Sequence, residues 1–121
     1  MKQDLEIVLI EDNEEDAERM IKFLKANFTN AIRHIQDGAE AAEFLLFAQN
    51  SAPKLILLDM VLPSVDGLEL FKIIKAEPKE RNLSVLVLIS SVKSKAYLES
   101  LDVNPDGFLV KPTAEKMPYL L

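Results

Sequence analysis

Three acidic side chains and one lysine come directly after apolar runs of the sequence. Glu11 and Asp12 follow the first run, Asp59 ends the third, and Lys111 follows the fifth. Carboxylates that lie close together repel one another, and a hard divalent cation such as Mg²⁺, which prefers oxygen ligands, relieves that repulsion. A lysine beside such a site is a second positive partner for an anion. These residue types are therefore suited to holding a phosphoryl group.

Asp59 is the candidate acceptor of that phosphoryl group, because a carboxylate at the end of a strand has a free lone pair with which to attack phosphorus. Ser90 and Ser91 follow the fourth apolar run and add hydroxyl groups. Each feature alone is common, since acidic residues after strands often cap helices and serines often form turns. Their coincidence after four separate runs favours a functional site.

The alternation of apolar runs with helical patterns predicts how these residues are brought together. The predicted strands are 5–10, 31–35, 54–58, 85–89 and 106–110, of which 31–35 is the most polar and is predicted at an edge. The predicted helices are 13–28, 38–49, 66–76 and 94–101. This order predicts one domain over residues 1–121, a doubly wound sheet of five parallel strands whose carboxyl ends meet at one edge.

Composition narrows the classes of function. The formal net charge of −6 argues against binding to nucleic acid or to an anionic membrane by bulk charge. The absence of cysteine excludes thiol catalysis and Cys-ligated zinc, and the single histidine, His34, argues against a Ser-His-Asp triad. No apolar run approaches ~18 residues and no secretory signal is recognisable, so the expected location is cytoplasmic.

Three segments resemble the receiver domain of two-component response regulators, the CheY-like family. They are IVLIEDN from Ile7, LILLDMVLPSVDG from Leu55 and FLVKP from Phe108. The resemblance runs from about Leu5 to Pro112, and its Asp-x-x-x-Pro-x-x-Asp-Gly pattern is specific when joined to an acidic pair and to Lys-Pro. It implies a flavodoxin-like (βα)5 fold and a signalling module, not an enzyme, that a histidine kinase or a histidine phosphotransfer protein phosphorylates.

The resemblance also implies a role for each matching residue of the acidic site. Asp59 would be the phosphoacceptor, and Lys111 would pair with the phosphoryl oxygens. Mg²⁺ would be bound directly by Asp12 and Asp59, through water by Glu11, and by the backbone carbonyl of Val61.

Four further residues match positions that shape the site or report its state. Phe108 would be the aromatic residue that rotates inward on phosphorylation. Pro63 and Gly67 would shape the loop after the acceptor, and Lys111–Pro112 would be a cis peptide that aims the lysine.

The first departure from the family concerns the hydroxyl residue that ends the fourth strand and contacts the phosphoryl group. The family's spacing from Asp59 and from Lys111 places Ile89 at this switch position, with Ser90 one residue late. We favour a one-residue slip or bulge that brings Ser90 into place. The alternative is that Ile89 fills the position, which would weaken the coupling of phosphorylation to the output face.

The second departure is the tail, where nine residues follow Pro112 and Pro118 interrupts any helix among them. We expect a last helix that is short, broken or truncated. Apolar sheet surface would then stay uncovered, and our hypothesis is that a second copy of the chain shields it as a homodimer.

Two alternatives from other classes remain open at this point. A phosphohydrolase of the haloacid-dehalogenase kind would use Asp59 as nucleophile, but it needs a second Asp where Val61 stands. A flavodoxin-like cofactor binder would offer a first loop rich in Ser, Thr and Gly, whereas the acidic residues 11–16 would repel phosphate unless a metal intervenes.

Overall fold

Strands and helices alternate along the chain in a computed structural model, which describes residues 5–47, 54–60, 67–76 and 83–121. The strands are β1 (Glu6–Ile10), β2 (Ile32–Ile35), β3 (Lys54–Asp59), β4 (Leu83–Ile89), β5 (Gly107–Val110) and β6 (Tyr119–Leu120). The helices are α1 (Glu14–Asn27), α2 (Gly38–Phe47), α3 (Gly67–Lys75) and α4 (Val92–Ser100). Within the described residues, the five predicted strands and the four helices predicted before Pro112 are present, with ends that shift by a residue or two.

The strands form one sheet in the order β2-β1-β3-β4-β5-β6, in which β1 to β5 are parallel. The predicted edge position of β2 is confirmed. The order changes direction between β1 and β3, which is the point where doubly wound sheets place their functional sites. The doubly wound parallel sheet predicted from the sequence is confirmed.

Apolar side chains from alternate strand positions pack into two cores, one on each face of the sheet. The first core joins the sheet to α2, α3 and α4, and the second joins it to α1. Alternation along β4 shows the division, because Val87 belongs to the first core and Leu88 to the second.

Helix α1 begins where the sequence predicts. The Asn13 side chain accepts a hydrogen bond of 2.9 Å from the backbone N–H of Asp16, which caps the helix. The predicted apolar stripe faces the second core, with Ala17, Met20 and Leu24 buried. The cap and the stripe together fix the first turn of α1 beside the end of β1.

The tail corrects the expectation of a last helix, even a short one. Residues 113–121 contain no helix; Thr113 closes a turn with Lys116, and the chain then returns as β6, antiparallel to β5. The Thr113 hydroxyl accepts the N–H of Lys116 at 3.0 Å, a bond that competes with helix formation, and Pro118 has no N–H to offer a helix. The N–H of Leu121 donates to the carbonyl of Phe108 at 3.0 Å, so the tail is bonded to β5.

Within the described ranges, none of the helices has the length and apolar character needed to cross a bilayer.

Candidate functional site

One lysine and three carboxylates meet at the carboxyl end of the sheet. The Lys111 Nζ lies 2.8 Å from Glu11 Oε1, 3.1 Å from Asp16 Oδ2 and 3.4 Å from Asp59 Oδ2. Glu11 directly follows β1, Asp59 ends β3 and Lys111 directly follows β5, as the sequence predicts for residues at the ends of parallel strands. The structure therefore brings Glu11, Asp59 and Lys111 together.

Backbone hydrogen bonds to neighbouring strands fix two of these residues. The N–H of Glu11 donates to Ile35 on β2 at 3.1 Å, and the N–H of Lys111 donates to Ile89 on β4 at 2.8 Å. The strand pairing thus continues one residue past the ends of β1 and β5. Both residues are therefore fixed in place at the carboxyl end of the sheet.

Glu11 is buried, with 1% of its surface exposed. Burial, together with hydrogen bonding and repulsion from the Asp59 carboxylate, raises the pKa of Glu11 to about 8, although Lys111 acts in the opposite direction. At neutral pH Glu11 therefore favours its protonated form far more than an ordinary glutamate does. The site has more carboxylate than its lysine can neutralise.

The pKa of Lys111 is also shifted in this site. Burial lowers the pKa of its ammonium group, but the hydrogen bond to Glu11 and the charges of Asp59 and Glu11 outweigh burial and raise that pKa above its ordinary value. Lys111 is therefore a permanent cation at this site.

Oxygen atoms of three carboxylates are close enough to share a metal ion. Glu11, Asp12 and Asp59 each offer one oxygen, and these oxygens lie within 4.8 Å of one another. Asp12 is exposed, whereas the other two are buried, so the cluster opens to solvent on the Asp12 side. An all-oxygen ligand set with excess negative charge fits a hard cation such as Mg²⁺.

A cavity of about 600 Å³ opens in front of Asp59 and Lys111, and both switch candidates line it. Ile89 is buried in the first core and Ser90 is exposed. The β4 ladder is regular up to the Ile89–Val110 pair, so the bulge that we favoured is absent from this strand. The reason is that an unbroken apolar strand keeps Ile89 packed in the core. Which residue acts in switching stays a prediction.

The Lys111–Pro112 peptide corrects another expectation, because no peptide bond in the described part of the chain is cis. The trans isomer is the intrinsically favoured one by about 0.5–1 kcal/mol, and the lysine is already positioned by Ile89 and its carboxylate partners. Phe108 is buried, packed in the first core. Its predicted rotation on phosphorylation is untested.

Gly67 begins α3 in contact with the backbone of Met60, and an added Cβ would overlap the Met60 backbone. Only glycine permits this close approach next to Asp59. Val61 and Pro63 lie outside the described residues, so their roles stay predictions.

The sequence analysis missed two residues of this site. The sequence analysis treated Asp16 only as one of the acidic residues 11–16, yet from the first turn of α1 it contacts Lys111. His34, on β2, places its Nε2 2.8 Å from the backbone oxygen of Glu11. That oxygen only accepts, so the ring nitrogen donates.

Known proteins that are similar to this chain in sequence and in fold are response regulators. The response regulator Rcp1 of Synechocystis is 32% identical, over 87% of this chain and 75% of Rcp1. The bacteriophytochrome response regulator AtBRR has 32% identity and a TM-score of 0.79, over 89% of this chain and 82% of AtBRR. The phosphorylated cyanobacterial phytochrome response regulator RcpA has 33% identity and a TM-score of 0.73, over 91% of this chain and 81% of RcpA.

These relatives are signalling proteins, which confirms the prediction of a signalling module over an enzyme and favours it over the phosphohydrolase and the cofactor binder. The family model described as the response regulator receiver domain matches residues 7–118. This match covers most of the chain, including both acidic segments and the lysine. The chain therefore belongs to the response regulator receiver domain family of two-component signalling.

Proposed function

We propose that the chain is a phosphorylatable receiver in which Asp59 accepts a phosphoryl group from a histidine kinase or a histidine phosphotransfer protein. The observation that carries this proposal is the placement of the Lys111 Nζ 3.4 Å from Asp59 Oδ2 at the wall of an open cavity. RcpA, which shares the fold, has been solved in a phosphorylated form, which supports the same chemistry here.

In the proposed reaction an Asp59 carboxylate oxygen attacks the phosphorus of the donor. The new O–P bond forms as the bond from phosphorus to the donor imidazole nitrogen breaks, and that nitrogen keeps the electron pair. Lys111 donates hydrogen bonds to the phosphoryl oxygens and offsets their charge. The product is an acyl phosphate on Asp59.

Mg²⁺ fits the oxygen cluster of Glu11, Asp12 and Asp59, and in this proposal Asp12 and Asp59 bind it directly while Glu11 acts through water. The Val61 carbonyl remains a proposed fourth contributor. Bound there, the cation would neutralise charge on the phosphoryl oxygens and orient them for in-line transfer.

Partner switching is the output of this proposal. Ile89 holds the last position of β4 with an apolar side chain that can donate no hydrogen bond to a phosphoryl oxygen. We expect phosphorylation of Asp59 to proceed, with weak coupling to Phe108 and to the surface that partners read. An Ile89→Thr variant should strengthen that coupling. The measurement is the change, on phosphorylation, in the NMR chemical shifts of Phe108 and of the surface residues around it.

The test of the proposed reaction is incubation of the protein with a small acyl phosphate and Mg²⁺, followed by intact-protein mass spectrometry. We expect one phosphoryl adduct that hydroxylamine removes and that Asp59→Asn abolishes. Asp37→Asn is the matched control, because Asn can keep the side-chain bond by which Asp37 caps the start of α2. An adduct that persists in Asp59→Asn, or steady hydrolysis of phosphate esters, would contradict the proposal.

We also propose that a second copy of the chain covers the apolar face beside α1. A groove of about 420 Å³ runs there between α1 and β6, and its lining is almost entirely apolar. Tyr119 and Leu120 on β6 are 46% and 63% exposed, and β6 is the edge of the sheet. A two-fold axis beside β6 would pair this edge with its own copy in antiparallel fashion.

Light scattering over a range of protein concentrations tests the homodimer. We expect a dimer that Leu120→Glu dissociates, whereas Val92→Glu, a matched change at an exposed apolar residue on α4, leaves it intact. A monomer at the highest concentration would refute this arrangement.

A further inference from the structure

Asp16 is the partner of Lys111 that the function proposed above leaves unexplained. A lysine ammonium group has three N–H donors, and the Lys111 Nζ has three carboxylate neighbours, Glu11, Asp16 and Asp59. The Asp16 contact, at 3.1 Å, is shorter than the contact to the proposed acceptor Asp59, at 3.4 Å. Lys111 thus has hydrogen bonds to Glu11 and Asp16 and a charge contact with Asp59 before any phosphoryl group arrives.

Asp16 differs from the other two carboxylates in origin. Glu11 and Asp59 lie at strand ends, whereas Asp16 reaches the site from the first turn of α1. Its backbone is held by the Asn13 cap at 2.9 Å, and its second carboxylate oxygen lies 3.9 Å from Arg19. Asp16 also lines the cavity in front of Asp59. It is therefore a fixed negative charge at the entrance, one that the oxygen cluster does not include.

We propose that Asp16 is a positioning residue that holds Lys111 in its resting place and thereby restrains phosphorylation of Asp59. This inference rests on the proposed function. A phosphoryl group on Asp59 needs a hydrogen bond from Lys111, so it competes with the carboxylates that hold the lysine now. Asp16 is the partner that can be released without disturbing the oxygen cluster. Its charge also repels a phosphodonor that enters the cavity.

Removal of the Asp16 charge should therefore accelerate phosphorylation. A single charge pair near the surface has only a modest effect, so we expect Asp16→Asn to raise the rate of Asp59 phosphorylation about fivefold. Beryllofluoride, a non-reactive mimic of a phosphoryl group on a carboxylate, should bind the variant more tightly by a similar factor. A merely structural role for Asp16 would improve neither quantity.

The experiment compares wild type, Asp16→Asn and Glu15→Gln over a series of acyl phosphate concentrations with Mg²⁺, with adduct formation followed by mass spectrometry. Glu15→Gln is the matched control, because Glu15 is an exposed carboxylate in the same turn of α1 and the charge change is equal. Asp16→Glu is the second variant, which keeps the charge and should return the rate toward that of wild type. Thermal melts establish that each variant is folded.

Three results separate the possibilities. An Asp16→Asn rate above that of Glu15→Gln, together with tighter beryllofluoride binding and rescue by Asp16→Glu, supports the inference. Equal rates in Asp16→Asn and Glu15→Gln, or a slower Asp16→Asn, overturn it while the proposed function stands. Absence of any adduct on wild type defeats the proposed function itself and is thereby distinguished from failure of the inference.

Discussion

The two ends of the parallel sheet both bury charged side chains, but they balance them differently. At the amino ends of the strands, Lys54 is 3% exposed and lies 3.2 Å from Glu6, which Arg33 also approaches at 3.4 Å. The Phe44 ring covers this group, with its centroid 4.5 Å from the Arg33 guanidinium. At the carboxyl ends one ammonium group, that of Lys111, faces three carboxylates.

The difference separates a structural ion pair from a binding site. The Glu6 carboxylate lies beside two cations, Arg33 and Lys54, so its negative charge is compensated. The Phe44 ring packs against the Arg33 guanidinium. Three carboxylates around one cation leave negative charge uncompensated, and burial together with the neighbouring Asp59 carboxylate raises the pKa of Glu11. Charge that folding leaves unbalanced marks the end of the sheet that is suited to an external cation.

The largest expected effect separates the two lysines at opposite ends of the sheet. Lys111→Met should slow phosphorylation of Asp59 by a small acyl phosphate about 100-fold, because it removes the fixed cation that faces the transferred phosphoryl group. Lys54→Met should leave the rate unchanged, since Lys54 lies at the opposite end of the sheet. Phosphorylation rates measured by mass spectrometry check this. Equal losses of rate in the two variants would show that the different charge balance at the two ends of the sheet does not determine where phosphorylation occurs.

The second effect concerns pH in metal-free buffer. The pKa of Glu11 is about 8 in the folded protein against 4.5 for the ordinary group, so the folded state binds more protons between these values. The free energy of unfolding should therefore fall, by a few kcal/mol, as pH rises from 5 to 8. Urea unfolding measures it.

Matched glutamine variants identify the group responsible for this pH dependence. Glu11→Gln should flatten the profile, and Glu6→Gln, at the other end of the sheet, should not. A profile that keeps its slope in Glu11→Gln would refute the assignment.

A smaller effect is expected at the balanced end. Lys54→Met should lower the free energy of unfolding by about 1–2 kcal/mol, because Glu6 loses a buried partner but keeps Arg33. Lys22→Met, at an exposed position of α1, is the control and should cost less than about 0.5 kcal/mol. A stable Lys54→Met protein would mean that the pair contributes no net stability.

The smallest effect is stabilisation by Mg²⁺. At ten times its dissociation constant, a ligand that binds only the folded state adds about 1.4 kcal/mol to the free energy of unfolding. We expect Mg²⁺ to do this in wild type and in Glu6→Gln, and not in Asp12→Asn, which replaces the exposed carboxylate of the oxygen cluster with a neutral amide. Thermal melts with and without Mg²⁺ decide it, and equal stabilisation of Asp12→Asn would remove Asp12 from the ligand set.

The sequence predicts the parallel sheet and the three strand-end residues well, and the reason is physical. A strand buried on both faces is recognisable as a continuous apolar run, and parallel strands bring the residues that follow each run to one edge. Glu11, Asp59 and Lys111 could thus be placed together without any knowledge of side-chain geometry.

Contacts that depend on side-chain reach could not be predicted in the same way. Asp16 meets Lys111 only because α1 begins at Glu14 and one turn points its carboxylate back over the sheet. The strand at Tyr119 was also missed, since two residues give too short a pattern to recognise and the strand exists through its pairing with β5. The absence of a bulge at Ile89 likewise depends on packing in the core.

The bond from Leu121 to Phe108 makes the tail a spectroscopic probe of the strand that carries the predicted switch residue. The N–H of Leu121 has its partner in the backbone carbonyl of Phe108, so it is protected from exchange with solvent only while β6 stays paired with β5. Hydrogen exchange at this single amide measures how often that edge of the sheet opens. A comparison of its protection before and after phosphorylation would report movement of β5 without any added label.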